Sequence, residues 1–431
     1  MIRIFHGVLL VSLVTASAAL AEEPVMEGVP PAPETMVTFG NYRVHPFNTW
    51  AFRNAGAVLN VQMVPRGGDV ADFVDAPDDA IGRMMVTDAE GKERTVDDIL
   101  AESYTDGFLV LKDNRVLFER YYNGNDRHHQ HSWFSVTKSL TSTAAGILVA
   151  EGKLDLDASP ADYIPELKGS GFERVTIQNV LDHSSSIDFK ENYTDPDSDF
   201  LRYYGPALNM AYVPGARDAK PGETEIYGVH DFLGKFIRPV EGETPGDVFD
   251  YNSANSDVLG WVIARVSGMP YTDFIWQHLW SKLGAEHDAY IAVDRALQGV
   301  ATGGFNSTLR DAARFGAMIL NRGQWNGRQI VPAEWVDASL QLADKDKAKM
   351  AANEKYKGTP YIAYKNMWWV FDETKGEYAG IGIHGQVIYI NRDAGVVIAM
   401  FSSQPQASAA GNIPFWNKMN AVRAIAAALK E

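Results

Sequence analysis

Ser135 and Lys138 are the pair in this chain whose types and spacing could do chemistry together. In Trp133-Phe134-Ser135-Val136-Thr137-Lys138-Ser139 they stand three residues apart, so on a helix both side chains project from nearly one face. A serine hydroxyl is a poor nucleophile until a neighbouring base takes its proton. Lysine can be that base only where burial or nearby positive charge favours its neutral form. The next residues predict such burial: Val136, Leu140, Ala144, Ile147, Leu148 and Ala150 recur at helical spacing up to Gly152. They predict a core helix whose first turn carries both groups. The tetrad alone does not identify an enzyme, because Ser-x-x-Lys arises by chance in most chains of this length. Metal chemistry is the competing reading, at His128, His129 and His131. These histidines abut the nucleophile helix with no carboxylate partner in the pattern, and the chain has no cysteine. No metal and no cofactor are therefore expected.

Stepping outward, 431 residues with 46% apolar content, 18 Tyr, 20 Phe and 10 Trp suffice for a large core, as one composite domain or two. A net charge of −16 argues against nucleic acid or an anionic membrane surface as partner. Residues 1–21 read as a signal peptide: Arg3, an apolar run from Val8 to Leu20, and Ala19-Leu20-Ala21 before Glu22. The run is too short to span a bilayer comfortably, so a periplasmic or secreted protein without stable membrane insertion is expected. Without cysteine there is neither disulfide nor thiol chemistry. Nothing in the pattern sets the oligomeric state.

Along the chain, Pro24, Pro30, Pro31 and Pro33 suggest a flexible leader over 22–40, and the aromatic stretch Phe47 to Asn54 is expected to pack on the main body. Two apolar runs flanking Asp113-Asn114 predict a hairpin over 108–122, and two flanking Asp393-Ala394-Gly395 predict a second over 387–401. Helices are predicted after Thr176, from Val258 to Val266, from Thr308 through Leu320 and over 416–429. The Tyr-, Gly- and Pro-rich region 190–245 suits a substrate loop or lid. Strands at both ends with helices between imply an α/β (α+β) protein. One antiparallel sheet would be built from both chain ends, flanked by helices, with a mainly helical insertion. The expected division is a signal peptide at 1–21, a leader and N-terminal extension at 22–100, an α/β domain at 101–134 plus 295–431, and a helical domain at 135–294 carrying the nucleophile.

Further motifs follow in order: Tyr251-Asn252-Ser253 before a later helix, and Gly380-Ile381-Gly382-Ile383-His384-Gly385-Gln386 near the C-terminus. This order resembles the serine β-lactamase and penicillin-binding-protein superfamily. Within it, Phe134 to Ser139, Glu191 to Pro196, Tyr251 to Asp257, Leu283 to Ala289 and Gly380 to Gln386 are most similar to the class C-like 6-aminohexanoate-dimer (nylon oligomer) hydrolases.

The resemblance implies a β-lactamase-like fold and a serine hydrolase. Ser135 would attack the carbonyl, while Lys138 and Tyr251 share the duties of base and proton return, in an order left open. The oxyanion would meet the backbone N–H groups of Ser135 and Ile383. Tyr193 would reach the amide nitrogen, and Ser253, Gly382 and His384 would contact substrate. Glycines at 380, 382 and 385 would let substrate approach the strand. Two departures stand out. Relatives that recognise penicillin carry Lys-Thr-Gly where this chain has Gly380-Ile381-Gly382, leaving His384 as a stand-in cation. The second motif has Ser253 where class C β-lactamases have Asn, and Ser186 also stands where many relatives place the glycine of a His-x-Ser-Gly turn, an expected change in loop geometry rather than chemistry. The expectation is an exported hydrolase of small linear amides or esters acting through an acyl-enzyme. Alternatives are a carboxylesterase or β-lactamase/DD-peptidase-like enzyme of this fold, and a catalytically silent binding protein on the scaffold.

Overall fold

Alternating apolar residues from the two ends of the chain meet in one sheet. In the computed structural model, which describes residues 25–210 and 226–430, its strands are β1 Val74–Asp75, β2 Thr105–Lys112, β3 Arg115–Tyr121, β4 Ala363–Lys365, β5 Trp368–Asp372, β6 Glu377–Gly382, β7 Gln386–Asn391 and β8 Val396–Ser402. Their spatial order is β4-β5-β6-β7-β8-β2-β3-β1, antiparallel except for the parallel β1–β3 edge pair. The ends join at β8–β2, where Ile398 stands opposite Val110. Asp113 and Asn114, both with left-handed backbone (φ 50° and 59°), close the β2–β3 hairpin as two-residue turns require.

Both faces of this sheet are covered, which is why its central strands are apolar on both sides. Leu109, Leu111, Ile388, Val397 and Ala399 face helices α1 Val136–Ala150 and α3 Leu309–Leu320. Phe108, Val110, Val387, Ile398 and Met400 pack beneath α4 Ile413–Ala428 and the short helix Val96–Glu102. Helix α2 Ala254–Ser267 lies against α1 and ends at Gly268 in left-handed backbone (φ 73°). Thr176 and Thr308 cap their helices as expected.

Helix α1 differs from its predicted stripe. Every residue from Val136 to Leu148 is buried, while Ala150 is exposed. A helix enclosed all round presents no single apolar face, and its small residues follow from that. A Cβ on Gly146 would lie 2.2 Å from the Trp335 ring.

A second, four-stranded sheet was not legible in the sequence: Val61–Val64, Ala289–Ala292, Phe305–Ser307 and His131–Ser132. It draws one strand from the 22–100 extension and one from the stretch read as helical. Strands of two to four residues are too short to display a period. The Phe47 to Asn54 stretch packs inward, with Phe52 fully buried and Asn48 Nδ2 donating to Ser403 O. In 190–245, Phe200, Leu201, Tyr204 and Phe232 are core residues, so the described part of the expected lid is a packed wall. Residues 1–21 lie outside the described residues, as do 211–225. Among the described residues no helix is long and apolar enough to cross a membrane.

Candidate active site

Ser135 sits immediately before α1, on a turn entered through Phe134, whose φ of 45° is unusual for a bulky side chain. Lys138, one helical turn on and 1% exposed, brings Nζ to 2.9 Å from Ser135 Oγ and donates to Thr302 O at 2.9 Å. Burial pushes the lysine down to about 8, against the opposing charges of Glu191 and Asp257. Tyr251, just before α2, lines the same cleft as Ser135, and its ring lies 5.2 Å from Lys138 Nζ. Burial holds the tyrosine well above its ordinary value, Glu191 adds to this, and Ser135 opposes it. The structure thus brings Ser135, Lys138 and Tyr251 together around one hydroxyl.

Ser135 and Tyr251 line a cleft of about 160 Å³, with Lys138 buried behind them. Ile381, Gly382 and Ile383 of β6 and its following turn form one side, and Tyr193, Glu191, Tyr361, Trp369 and Trp416 form others. Ser135 and Ile383 both line the cleft, and the Ser135 N–H is given to no acceptor among the described residues.

Four expectations are corrected. A Cβ on Gly380 would meet Ser139 Oγ at 2.9 Å, and one on Gly382 would meet Trp133 O at 2.5 Å and Ser135 N at 3.1 Å. Gly385 lies against Gln404 and Ser402. These glycines let β6 and its turn close on their neighbours, and only Gly382 also lines the cleft. His384 does not line it: its ring is buried against Phe52 and Phe134, its Nδ1 meets Gln404 O at 2.6 Å, and Arg43 approaches its Nε2 at 3.5 Å. Burial and Arg43 push it down to about 3, so it supplies no cation. Ser253 is buried at the head of α2 and is not a lining residue; its N–H donates to Glu191 Oε1. The histidines do have carboxylate partners, supplied by remote residues or the adjoining turn: His131 with Asp106 at 3.1 Å and His129 with Asp126 at 2.8 Å. Among the described residues no group of three or more such side chains could hold a metal ion.

Three neighbours of the site escaped the sequence reading. Glu191 accepts from the Tyr193 hydroxyl on one oxygen and from Ser253 N–H on the other. Asp257 accepts from Thr302 N–H at 3.0 Å and from the Tyr204 hydroxyl, and burial pushes it up to about 7. His183 accepts from Asn252 N–H at 3.1 Å and packs on the Tyr251 ring. Asp257 falls one helical turn after Ser253, a spacing that marks it as inward-facing with the motif. Glu191 and His183 carry no comparable signal. Ser186 holds the left-handed backbone (φ 49°) that glycine would favour.

Comparison with known proteins gives a consistent set. The β-lactamase family pattern matches residues 93–419. The chain is 33% identical to a 6-aminohexanoate-dimer hydrolase of Paenarthrobacter ureafaciens over 370 residues, which is 85% of this chain and 88% of that protein. It is 25% identical to a β-lactamase of Providencia stuartii over 173 residues, 40% of this chain and 36% of that one. A solved structure from Bacillus anthracis, provisionally assigned as a 6-aminohexanoate-dimer hydrolase, superposes with a TM-score of 0.80 at 26% identity. That match covers 93% of this chain and 99% of that one.

Proposed function

This chain belongs to the β-lactamase family and is a serine hydrolase, and from that premise we propose that it cleaves small linear amides through an acyl-enzyme on Ser135. The observation that carries the reading is the buried, down-shifted Lys138 at 2.9 Å from the Ser135 hydroxyl. Of the two candidate bases at that hydroxyl, lysine is driven toward its neutral form by burial and tyrosine away from its anion. Lys138 therefore takes the first proton as Ser135 Oγ attacks the carbonyl carbon. The amides of Ser135 and Ile383 receive the oxyanion. When the C–N bond breaks, Tyr251 delivers a proton to the departing nitrogen and is reprotonated from Lys138. Water then cleaves the ester by the reverse relay, releasing acid and free Ser135.

Amide rather than β-lactam cleavage is supported by the cleft's polarity. Position 380 carries no cation, its side faces α1, and His384 is neutral and buried. A lactam carboxylate would meet neutral backbone there. The relative from Paenarthrobacter is named for a linear amide with an ammonium at one end and a carboxylate at the other; we propose a substrate of that shape. Tyr193, whose hydroxyl donates to Glu191 at the cleft wall, stands as an orienter of the amide nitrogen, with its oxygen as an acceptor for the amide N–H. Export is part of the proposal, resting on the pattern of residues 1–21; an intact Met1 in cytoplasmic material would refute it.

The test compares kcat/KM for nitrocefin, p-nitrophenyl acetate and 6-aminohexanoate dimer, with mass spectrometry of trapped enzyme. The amide should exceed nitrocefin by about one to two powers of ten, and an acyl adduct should map to Ser135. Nitrocefin as the best substrate would reverse the reading.

A further inference from the structure

The cleft carries one feature that the catalytic reading leaves unused. Among its lining residues Glu191 is the anion and Lys355 the cation. Glu191 is fully engaged, with Tyr193 on one carboxylate oxygen and Ser253 N–H on the other. Lys355 makes no ion pair among the described residues. The adjacent acid, Glu354, is instead bridged to Lys357. Lys355 Nζ rests 5.5 Å from the centre of the Tyr356 ring, an arrangement that holds a cation without neutralising it.

The ring beneath it is packed. Tyr356 is buried and lies against Phe249 at 4.8 Å and Trp369 at 6.0 Å. Trp369 in turn stacks on the Tyr251 ring at 5.4 Å, so the exposed Lys355 sits at the end of an aromatic run that reaches the residue returning the proton to the leaving group. The rest of the cleft lining is largely apolar, with Tyr361, Trp369, Ile381 and Trp416 among it. Such a wall suits methylene groups and not a second polar function. In a protein of net charge −16, an unpaired cation at an aromatic cleft is the local exception to a field that repels anions.

We infer that Lys355 is a specificity-determining residue that receives a carboxylate at the far end of the leaving group of a linear, methylene-rich amide. The inference rests on the amide-hydrolase reading of Ser135 and adds the side chain that meets the substrate's carboxylate. It also reassigns the missing charge of the third motif. The cation comes from a different segment of the chain, so it meets an acid remote from the reacting carbonyl and not one fused beside it.

The experiment uses a matched pair, N-acetyl-6-aminohexanoate and N-hexylacetamide, which differ in a terminal carboxylate against a methyl group. p-Nitrophenyl acetate reports the acylation machinery alone. The full chain should prefer the carboxylate substrate by about three- to tenfold in kcat/KM, mostly in KM. Lys355→Met should abolish that preference while p-nitrophenyl acetate turnover is unchanged; Lys355→Arg should retain it, and Lys355→Glu should reverse it. A preference that survives Lys355→Met, or a wild-type enzyme that hydrolyses the ester yet treats both amides alike, would overturn the inference and leave Ser135 chemistry standing. A wild type inert toward all three would overturn both.

Discussion

The floor of the cleft and its wall are built on different principles. At the floor, Ser135, Lys138 and Tyr251 are fixed by the starts of two helices packed on each other, and their neighbours Glu191 and Asp257 are hydrogen-bonded on both oxygens. Burial sets the proton affinities there. The wall is aromatic, comes from segments around 193, 355–369, 407–410 and 416, and presents one cation without an ion pair. The floor fits a reaction; the wall fits a molecule. A family can keep the first while the second changes, so the floor predicts the chemistry and says little of the substrate.

Removing the nucleophile gives the largest contrast. Ser135→Ala should lower kcat by about four to six powers of ten and abolish labelling by a fluorophosphonate, with substrate affinity little changed. Lys138→Ala should approach the same loss. Labelling that persists in Ser135→Ala would place the chemistry elsewhere and dissolve the distinction between floor and wall.

Tyr193 lies where the two regions meet, and its removal should divide substrates by leaving group. An alkylamine must be protonated to depart, whereas p-nitrophenolate leaves without help. Tyr193→Phe should cut amide turnover by about ten- to a hundredfold and barely touch p-nitrophenyl acetate. Equal losses on both substrates would mean that Tyr193 serves the floor through Glu191 and does not touch substrate.

The pH profile tests how the floor is tuned. The neutral form of Lys138 is the base, so kcat/KM should rise with pH through about 8, where burial has moved that group. Asp257 opposes the shift by favouring the ammonium. In Asp257→Asn, the amide oxygen can still accept from Thr302 N–H and its nitrogen can donate to the Tyr204 hydroxyl, while the negative charge is gone. The rising limb should move to lower pH and activity at pH 7 should increase. A limb that stays fixed would assign the titration to another group.

What the sequence made legible follows the same division. Ser135, Lys138 and Tyr251 lie in short contiguous motifs on helix starts, where spacing alone determines which side chains converge. The hairpins at Asp113-Asn114 and Gly395 were readable because turn chemistry is local. Lys355 was not, because its significance depends on a ring perch and a cleft assembled from segments more than a hundred residues apart. His384 misled for the converse reason. Its place beside Ile383 suggested a cleft residue, but the turn gives it left-handed backbone (φ 61°) and the ring packs inside against Phe52. The glycines of β6 were legible as positions of close approach, though what approaches two of them is protein.

The smallest expected effect concerns the turn beneath the floor. His183 packs on the Tyr251 ring, and the chain leaves it through Ser184, Ser185 and Ser186. Ser186 holds φ 49°, which costs a side-chain-bearing residue about 1–2 kcal/mol relative to glycine. Against that, glycine has more unfolded-state freedom to lose, by about 0.5–1 kcal/mol. The serine hydroxyl contributes only a long contact, 3.4 Å to Thr244 O. The balance favours glycine slightly, so Ser186→Gly should raise stability by up to about 1 kcal/mol, seen as a small upward shift of the urea midpoint with unchanged slope. Activity and its pH profile should not move, because Ser186 touches neither Ser135 nor the aromatic wall. A fall in stability would mean that the hydroxyl contact outweighs the backbone term. A changed pH profile would mean that the turn sets the position of His183, and through it the place of the Tyr251 ring beside Lys138.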